Sequence, residues 1–229
     1  MTIVKCNGVK KTYQQGKVEV KALRGIDMEV EKGEFIAIAG PSGSGKTTVL
    51  NLIGGLDDVS QGKIVVDGQD ITRLKSSQLA DMRLHKIGFI FQSYNLIPVL
   101  SAIENVEFIM MLQGIPSSER LKRSRAILRD VDLEDLMTRR PAEMSGGQQQ
   151  RVAVARAIVS EPAIVLADEP TANLDSKTGE KLLDLMKKLN ENNGITFVFS
   201  THDKMVMERA QRIILLKDGT VVETVVNRN

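Results

Sequence analysis

Gly40-Pro41-Ser42-Gly43-Ser44-Gly45-Lys46-Thr47-Thr48 is the stretch that decides how the chain reads. It matches G-x-x-x-x-G-K-[ST], the pattern of a phosphate-binding loop, at every fixed position. Glycine and serine let the backbone curl without side-chain clashes, so successive N–H groups can point inward at an anion. Lys46 adds a compact positive charge for β- and γ-phosphates. The Thr47 hydroxyl is a Mg²⁺ ligand of the right hardness. Glu34–Ala39 before the loop is a short apolar strand. Thr47–Ile53 after it reads as a buried helix whose positive end faces the loop. An ordinary Gly/Ser turn before a lysine would not need both flanks.

Composition narrows the class. The 229 residues suit one large domain or a core with an inserted subdomain. Net charge is +2, which gives no electrostatic case for nucleic acid, so none is expected as a partner. The one cysteine, Cys6, excludes an internal disulfide, fits a reducing compartment and reads as a small buried hydrophobe. No apolar run approaches the roughly 18 residues of a membrane span, and Met1–Asn7 has no signal-peptide character. The expectation is a cytoplasmic chain that does not itself cross a membrane.

The fold class reads as α/β, a phosphate-loop core with a mainly parallel sheet. Residues 1–39 are β-rich and form an antiparallel portion, with Val18–Leu23 and Ile26–Val30 alternating. Gln61–Gly68 and Ile87–Phe91 are further strands. From about Ser93 the strand signal fades. Val106–Leu112, Ser117–Arg129 and Asp132–Met137 read as helices, so a helical subdomain is expected at 93–145, inserted between core segments 1–92 and 146–229. A helix is expected from near Gln149, covering Arg151–Val159. Ala163–Ala167 is an unbroken apolar run of the kind buried on both faces of a parallel sheet, and Ile195–Ser200 reads as another buried strand. Lys177–Asn190 is an amphipathic helix, and Arg212–Glu223 a terminal hairpin.

Triphosphate chemistry needs a carboxylate for the metal and a group that orients or deprotonates water. Asp168 and Glu169 end the apolar run, at the sheet edge where the phosphate loop lies. Asp168 reads as the metal partner and Glu169 as the general base. A second anion-ready element, Ser145-Gly146-Gly147-Gln148, precedes a helix. One nucleotide does not need both elements from one chain. A dimer, in which each nucleotide meets the loop of one copy and the serine-glycine element of the other, resolves the redundancy.

Taken together, the chain resembles the nucleotide-binding subunit of an ATP-binding-cassette (ABC) transporter over nearly its whole length. The resemblance rests on the loop 40–48, Gln92 after an apolar strand, Met144–Gln148, Ile164–Glu169, Ala172–Asp175 and His202. It is strongest to the lipoprotein-releasing, macrolide- and peptide-exporting and cell-division group, on residues 40–57, 87–98 and 173–179. Met144 stands where leucine is commoner and Ala172 where glycine is common. Residues 107–112 also lack the proline-containing segment of that group, which bears on which transporter is served.

The resemblance implies the remaining roles. Tyr13 stacks on adenine. Gln92 reaches Mg²⁺ and the attacking water. Ser145, Gly146, Gly147 and Gln148 meet the γ-phosphate bound to a partner copy. Asp175 crosses the dimer interface, and His202 holds Glu169 and water in line. His85, in a charged stretch, reads as exposed. The implied activity is hydrolysis of ATP with Mg²⁺ by a homodimer on the cytoplasmic face of the membrane, driving a separate integral permease. The alternative is a soluble ABC ATPase not coupled to transport. A GTPase reading lacks an Asn-Lys-x-Asp motif, and a module that binds ATP without turnover does not need Glu169 and His202.

Overall fold

The structure, a computed structural model, describes residues 1–227. In chain order the elements are β1 (Thr2–Gln15), β2 (Val18–Glu31), β3 (Phe35–Ala39), α1 (Lys46–Ile53), β4 (Gln61–Val66), β5 (Gln69–Asp70), α2 (Ser76–Lys86), β6 (Ile87–Ile90) and α3 (Ala102–Leu112). There follow α4 (Ser117–Asp130), α5 (Gly146–Ile158), β7 (Ile164–Asp168), α6 (Ser176–Asn193), β8 (Phe197–Thr201), α7 (Lys204–Arg209), β9 (Arg212–Lys217) and β10 (Thr220–Val226).

Two sheets organise the chain. One is antiparallel, in the order β2-β1-β4-β5. The other runs β10-β9-β3-β8-β7-β6 and is parallel throughout except for the edge strand β10. The two-residue side-chain period of β3 explains how the layers meet. Ile36 and Ile38 face a core shared with α1 and the antiparallel sheet. Phe35 and Ala37 face the opposite core, where α5, α6 and α7 pack. Every residue of β3 is fully buried, which is why this strand reads as a continuous apolar run and not as an alternation.

Between β6 and α5 the chain is helical and builds a third core from Val106, Met110, Leu128, Val131 and Leu133 against Val152 and Ala155 of α5. Its entry loop is organised by Asn105, which is wholly buried. The Asn105 amide donates to the carbonyls of Ile97, Leu100 and Ser101 and accepts from the Ile97 amide.

Three local expectations change. Val18–Glu31 is one continuous strand, because its pairing with β1 reaches Arg24 and resumes at Ile26 across an irregularity at Gly25. Residues 132–137 hold only a 3₁₀ turn at Glu134–Leu136. Helix α5 starts at Gly146, three residues before Gln149. Ser145 is its N-cap, and Ser145 and Gln148 exchange side-chain hydrogen bonds with each other's amides at 2.8 and 3.3 Å. That reciprocal cap outweighs the low helix propensity of the two glycines.

Candidate active site

The site lies along one edge of the parallel sheet. Ala39 pairs with Thr201, Asp168 with Ser200, and Ile90 with Ala167. Four strands therefore end side by side. They deliver the 40–45 loop, Thr201 and His202, Asp168 and Glu169, and Gln92 to one edge, the usual ligand edge of such sheets.

The phosphate loop joins β3 to α1. Gly45 sits at φ 102°, where a β-carbon would also stand 2.7 Å from a Leu23 methyl, so only glycine fits. No side chain caps α1 and no acid occupies its first turn, which leaves its first amides open to an anion. Lys46 is buried and donates to the carbonyls of Gly40 (2.9 Å) and Pro41 (3.0 Å). Among the described residues no carboxylate pairs with it, and its ammonium sits beside the loop. Pro41, Ser42 and Gly43 are exposed at the loop's crest, Ser44 is buried beneath it, and Thr48 is half-buried.

Thr47 Oγ1 donates to Asp168 at 3.0 and 3.1 Å from the two carboxylate oxygens. This is an oxygen-only pair of the kind that holds a hard cation together with phosphate and water oxygens. No cluster of three His, Cys, Asp or Glu capable of holding a metal by itself exists among the described residues.

Next to this pair Glu169 is held from both sides. His202 Nδ1 lies 2.7 Å from Oε1, and Thr201 Oγ1 donates to Oε2 at 3.1 Å. Thr201 is fully buried and accepts in turn from the Asp203 amide, while Asp203 accepts from the Thr171 hydroxyl. Glu169 itself has φ 45°, a left-handed conformation that costs a non-glycine residue about 1–3 kcal/mol. Bonds from its amide to Ser200 O and from the Ala172 amide to its carbonyl hold that turn. The carboxylate is largely covered whereas His202 is exposed, as is His85 far down the chain on α2. A strained, doubly anchored carboxylate one residue from a metal-type pair is equipped to orient a water and take its proton.

The remaining residues are spread around this centre. The Gln92 side chain is exposed just past β6, and its carbonyl accepts from Asn173 Nδ2. Arg156 of α5 donates to the carbonyls of Tyr94 and Asn95, two consecutive residues with positive φ. Burial lowers the pKa of that guanidinium. The hydrogen bonds of Ser145 and Gln148 close within their own turn. Gly146 and Gly147 allow the Tyr94 hydroxyl and Thr178 to approach their helix turn, and a β-carbon on Gly147 would stand 2.4 Å from a Thr178 methyl. Asp175 caps α6, accepting from the Thr178 amide and hydroxyl, and these bonds lower its pKa, the hydroxyl first. Tyr13, half-buried, bonds Asp57 at 2.7 Å.

No role was read from sequence for Thr201, Thr171, Arg156, Asn173 or Asp57. For Thr201 a signal existed: a threonine closing a short, mainly apolar run immediately before a histidine. For the others the contacts are purely tertiary.

With this geometry in place, the comparisons are specific. Residues 23–172 match the ABC transporter family. The chain is 43% identical over 220 residues to the lipoprotein-releasing system ATP-binding protein LolD of Syntrophus aciditrophicus, covering 96% of this chain and 99% of that one. It is 42% identical to the macrolide export ATP-binding/permease protein MacB of Brucella melitensis, covering 99% of this chain but 35% of the larger protein. Its structure superposes at TM-score 0.91 on a dimeric post-hydrolysis state of the ATP-binding cassette MJ0796 of Methanocaldococcus jannaschii bound to ADP and Pi, at 46% identity and 99% coverage of both chains. The chain belongs to the ABC transporter family, as an ATP-binding, ATP-hydrolysing cassette.

Proposed function

We propose that two copies of this chain close face to face around two Mg-ATP and drive a separate membrane permease. The observation that carries the reading is the Glu169 carboxylate, pinned by His202 and Thr201 beside the Thr47–Asp168 pair. Lys46 and the open amides of α1 bind the β- and γ-phosphates of one nucleotide, and Tyr13 stacks on its adenine. Ser145, Gly146, Gly147 and Gln148 of the other copy complete the pocket, since within one chain their bonds stay in their own turn. Asp175 sits at the same face, capping α6 beside that turn.

In the reaction Glu169 orients a water and accepts its proton as the water oxygen attacks the γ-phosphorus. The bond to the ADP oxygen breaks, and ADP and phosphate leave. His202 keeps the carboxylate in line. Lys46 and the partner's signature amides stabilise the charge that develops on the transferring group. Mg²⁺, when bound by Thr47, Asp168 and the Gln92 side chain, supplies Lewis-acid neutralisation of that charge.

The permease partner is supported by a groove between β6 and α3. Leu56, Phe89, Phe91, Ile97, Ile109 and Leu112 line it, next to the 92–95 segment. MacB carries a permease in its own name, and this chain matches only 35% of that protein. No helix of the described residues is long and apolar enough to cross a membrane. The cassette then works from the cytoplasmic face, with 93–145 as the helical subdomain that passes movement from the nucleotide to the groove. The competing assignment is an ABC ATPase uncoupled from any membrane.

Expressing Glu169→Gln with a tag in its native cell and extracting membranes gently with Mg-ATP tests both halves. Turnover should fall roughly 10²–10⁴-fold, as for loss of a general base. A polytopic membrane protein should co-purify. Retained turnover removes Glu169 as base, and recovery from the soluble fraction alone removes the permease.

A further inference from the structure

Outside the catalytic row, Lys11 carries a buried charge. This lysine is 9% exposed, an uncommon place for an ammonium. It lies two residues before Tyr13 on β1, so both side chains leave the strand on the same face. Lys11 Nζ donates to Asp57 Oδ1 at 2.5 Å and to the Asp58 carbonyl at 2.7 Å. The Tyr13 hydroxyl donates to the other oxygen, Asp57 Oδ2, at 2.7 Å. Lys11 Nζ also stands 4.8 Å from the centroid of the Tyr13 ring, a cation–π contact. The ring is thus gripped at its hydroxyl and covered on one face, while the residue as a whole stays half-exposed.

Asp57 follows the helix that begins at the phosphate loop. Between them, Gly54 and Gly55 fold back on α1 through bonds to Leu50 and Leu52. Tyr13 is on a different sheet, yet through Asp57 it is tied to the chain that leaves the helix holding the phosphates.

Titration agrees with the geometry. Burial would raise the Asp57 carboxyl, but hydrogen bonds from Lys11 and Tyr13 outweigh it and hold the group below its ordinary range. Burial and then the bond to Asp57 push the Tyr13 hydroxyl up.

We infer that Asp57, clamped by Lys11, is a positioning residue that fixes the plane of Tyr13 relative to the phosphate loop and so sets the affinity for the nucleotide base. This rests on Tyr13 being the stacking partner of the base. A ring pre-set by the Lys11–Asp57 pair binds without the entropy cost of ordering it at each encounter. The carboxylate acts through the ring and touches no reacting atom, so its loss should appear in KM and not in kcat.

The test measures ATP turnover, together with inhibition by inorganic tripolyphosphate, which has the phosphates but no base. Tyr13→Phe keeps the ring and removes the anchor. It should raise KM for ATP roughly 2- to 10-fold, the worth of one hydrogen bond. Its kcat and tripolyphosphate inhibition should stay at wild-type values. Asp57→Ala should raise KM alike in the wild-type background and add nothing in the Tyr13→Phe background. If Asp57→Ala fails to fold, Tyr13→Phe and the competitor decide alone. Tyr13→Ala is the control for stacking and should raise KM roughly 5- to 150-fold.

If Tyr13→Ala is strong but Tyr13→Phe is silent, stacking stands and the positioning role is overturned. It is equally overturned if tripolyphosphate inhibition weakens in step, because the triad then acts on the loop, or if Asp57→Ala is silent in the wild-type background. If Tyr13→Ala is silent, stacking itself falls and the inference falls with it.

Discussion

His202 Nδ1 stands 2.7 Å from Glu169 Oε1, and the two residues come from the ends of adjacent parallel strands. A histidine in this position holds the carboxylate by one oxygen only. The second oxygen belongs to Thr201, one residue earlier and fully buried. The two anchors fix the carboxylate, while the backbone bonds of Glu169 and Ala172 hold its left-handed turn.

The first prediction concerns that second anchor. Thr201→Val keeps volume and loses the bond to a charged acceptor, worth enough to lower kcat about 10- to 100-fold. KM for ATP should hold, since Thr201 touches no part of the phosphate loop's hydrogen bonding. Thr201→Ser should restore most of the rate. Steady-state kinetics of the three proteins checks this.

A second prediction concerns the metal pair. Asp168→Asn removes the charged member of the Thr47–Asp168 pair. The Mg²⁺ concentration for half-maximal turnover should rise at least about tenfold. Chelation should stop turnover by wild-type protein while leaving measurable nucleotide binding through Lys46 and the loop amides.

Stability away from the site turns on Asn105. Asn105→Leu strands the Ile97 amide and three carbonyls in the interior, a loss of about 1–3 kcal/mol. For a chain of this size Tm should fall by about 2–12 °C, read by calorimetry.

Cys6 makes a prediction about pH. Burial pushes its thiol from 9.0 up to about 12, with the Asp27 charge adding to the shift. The unfolded chain therefore releases the proton first as pH rises. The thiol's contribution is fully present below pH 9.0, declines between pH 9.0 and about 12, and is lost by the upper value. Relative to Cys6→Ala, wild-type stability should fall by at most about 1.4 kcal/mol per pH unit across that window, measured by urea unfolding. The native thiol should also resist alkylation at pH 8 until the protein is unfolded.

Much of the fold was legible because the buried strands are uninterrupted apolar runs. Phe35–Ala39, Ile164–Ala167 and Phe197–Phe199 announce a parallel sheet, and the edge they share carries Asp168, Glu169 and His202 just beyond them. Local chemistry misled at α5, where two glycines masked a capped helix start. For Asp175 the resemblance implied an interface role, while its place as the cap of α6 emerges only from the structure. What sequence could not supply were the second partners. Thr201 meets Glu169 across 32 residues, and Tyr13 meets Asp57 across 44. No period or motif links positions that far apart, because such contacts exist only once the strands are registered.

The claim on which the rest depends is that one chain holds half of each ATP site. Its most direct test is the solution mass of Glu169→Gln with and without Mg-ATP. A protomer is 25.2 kDa, so the protein should run as a monomer without nucleotide and at twice that mass with Mg-ATP. The Ser145→Arg change in the same background should abolish the doubling while leaving ATP bound to the monomer. A mass that ignores ATP, or a dimer that forms equally well with Ser145→Arg, would contradict the shared site.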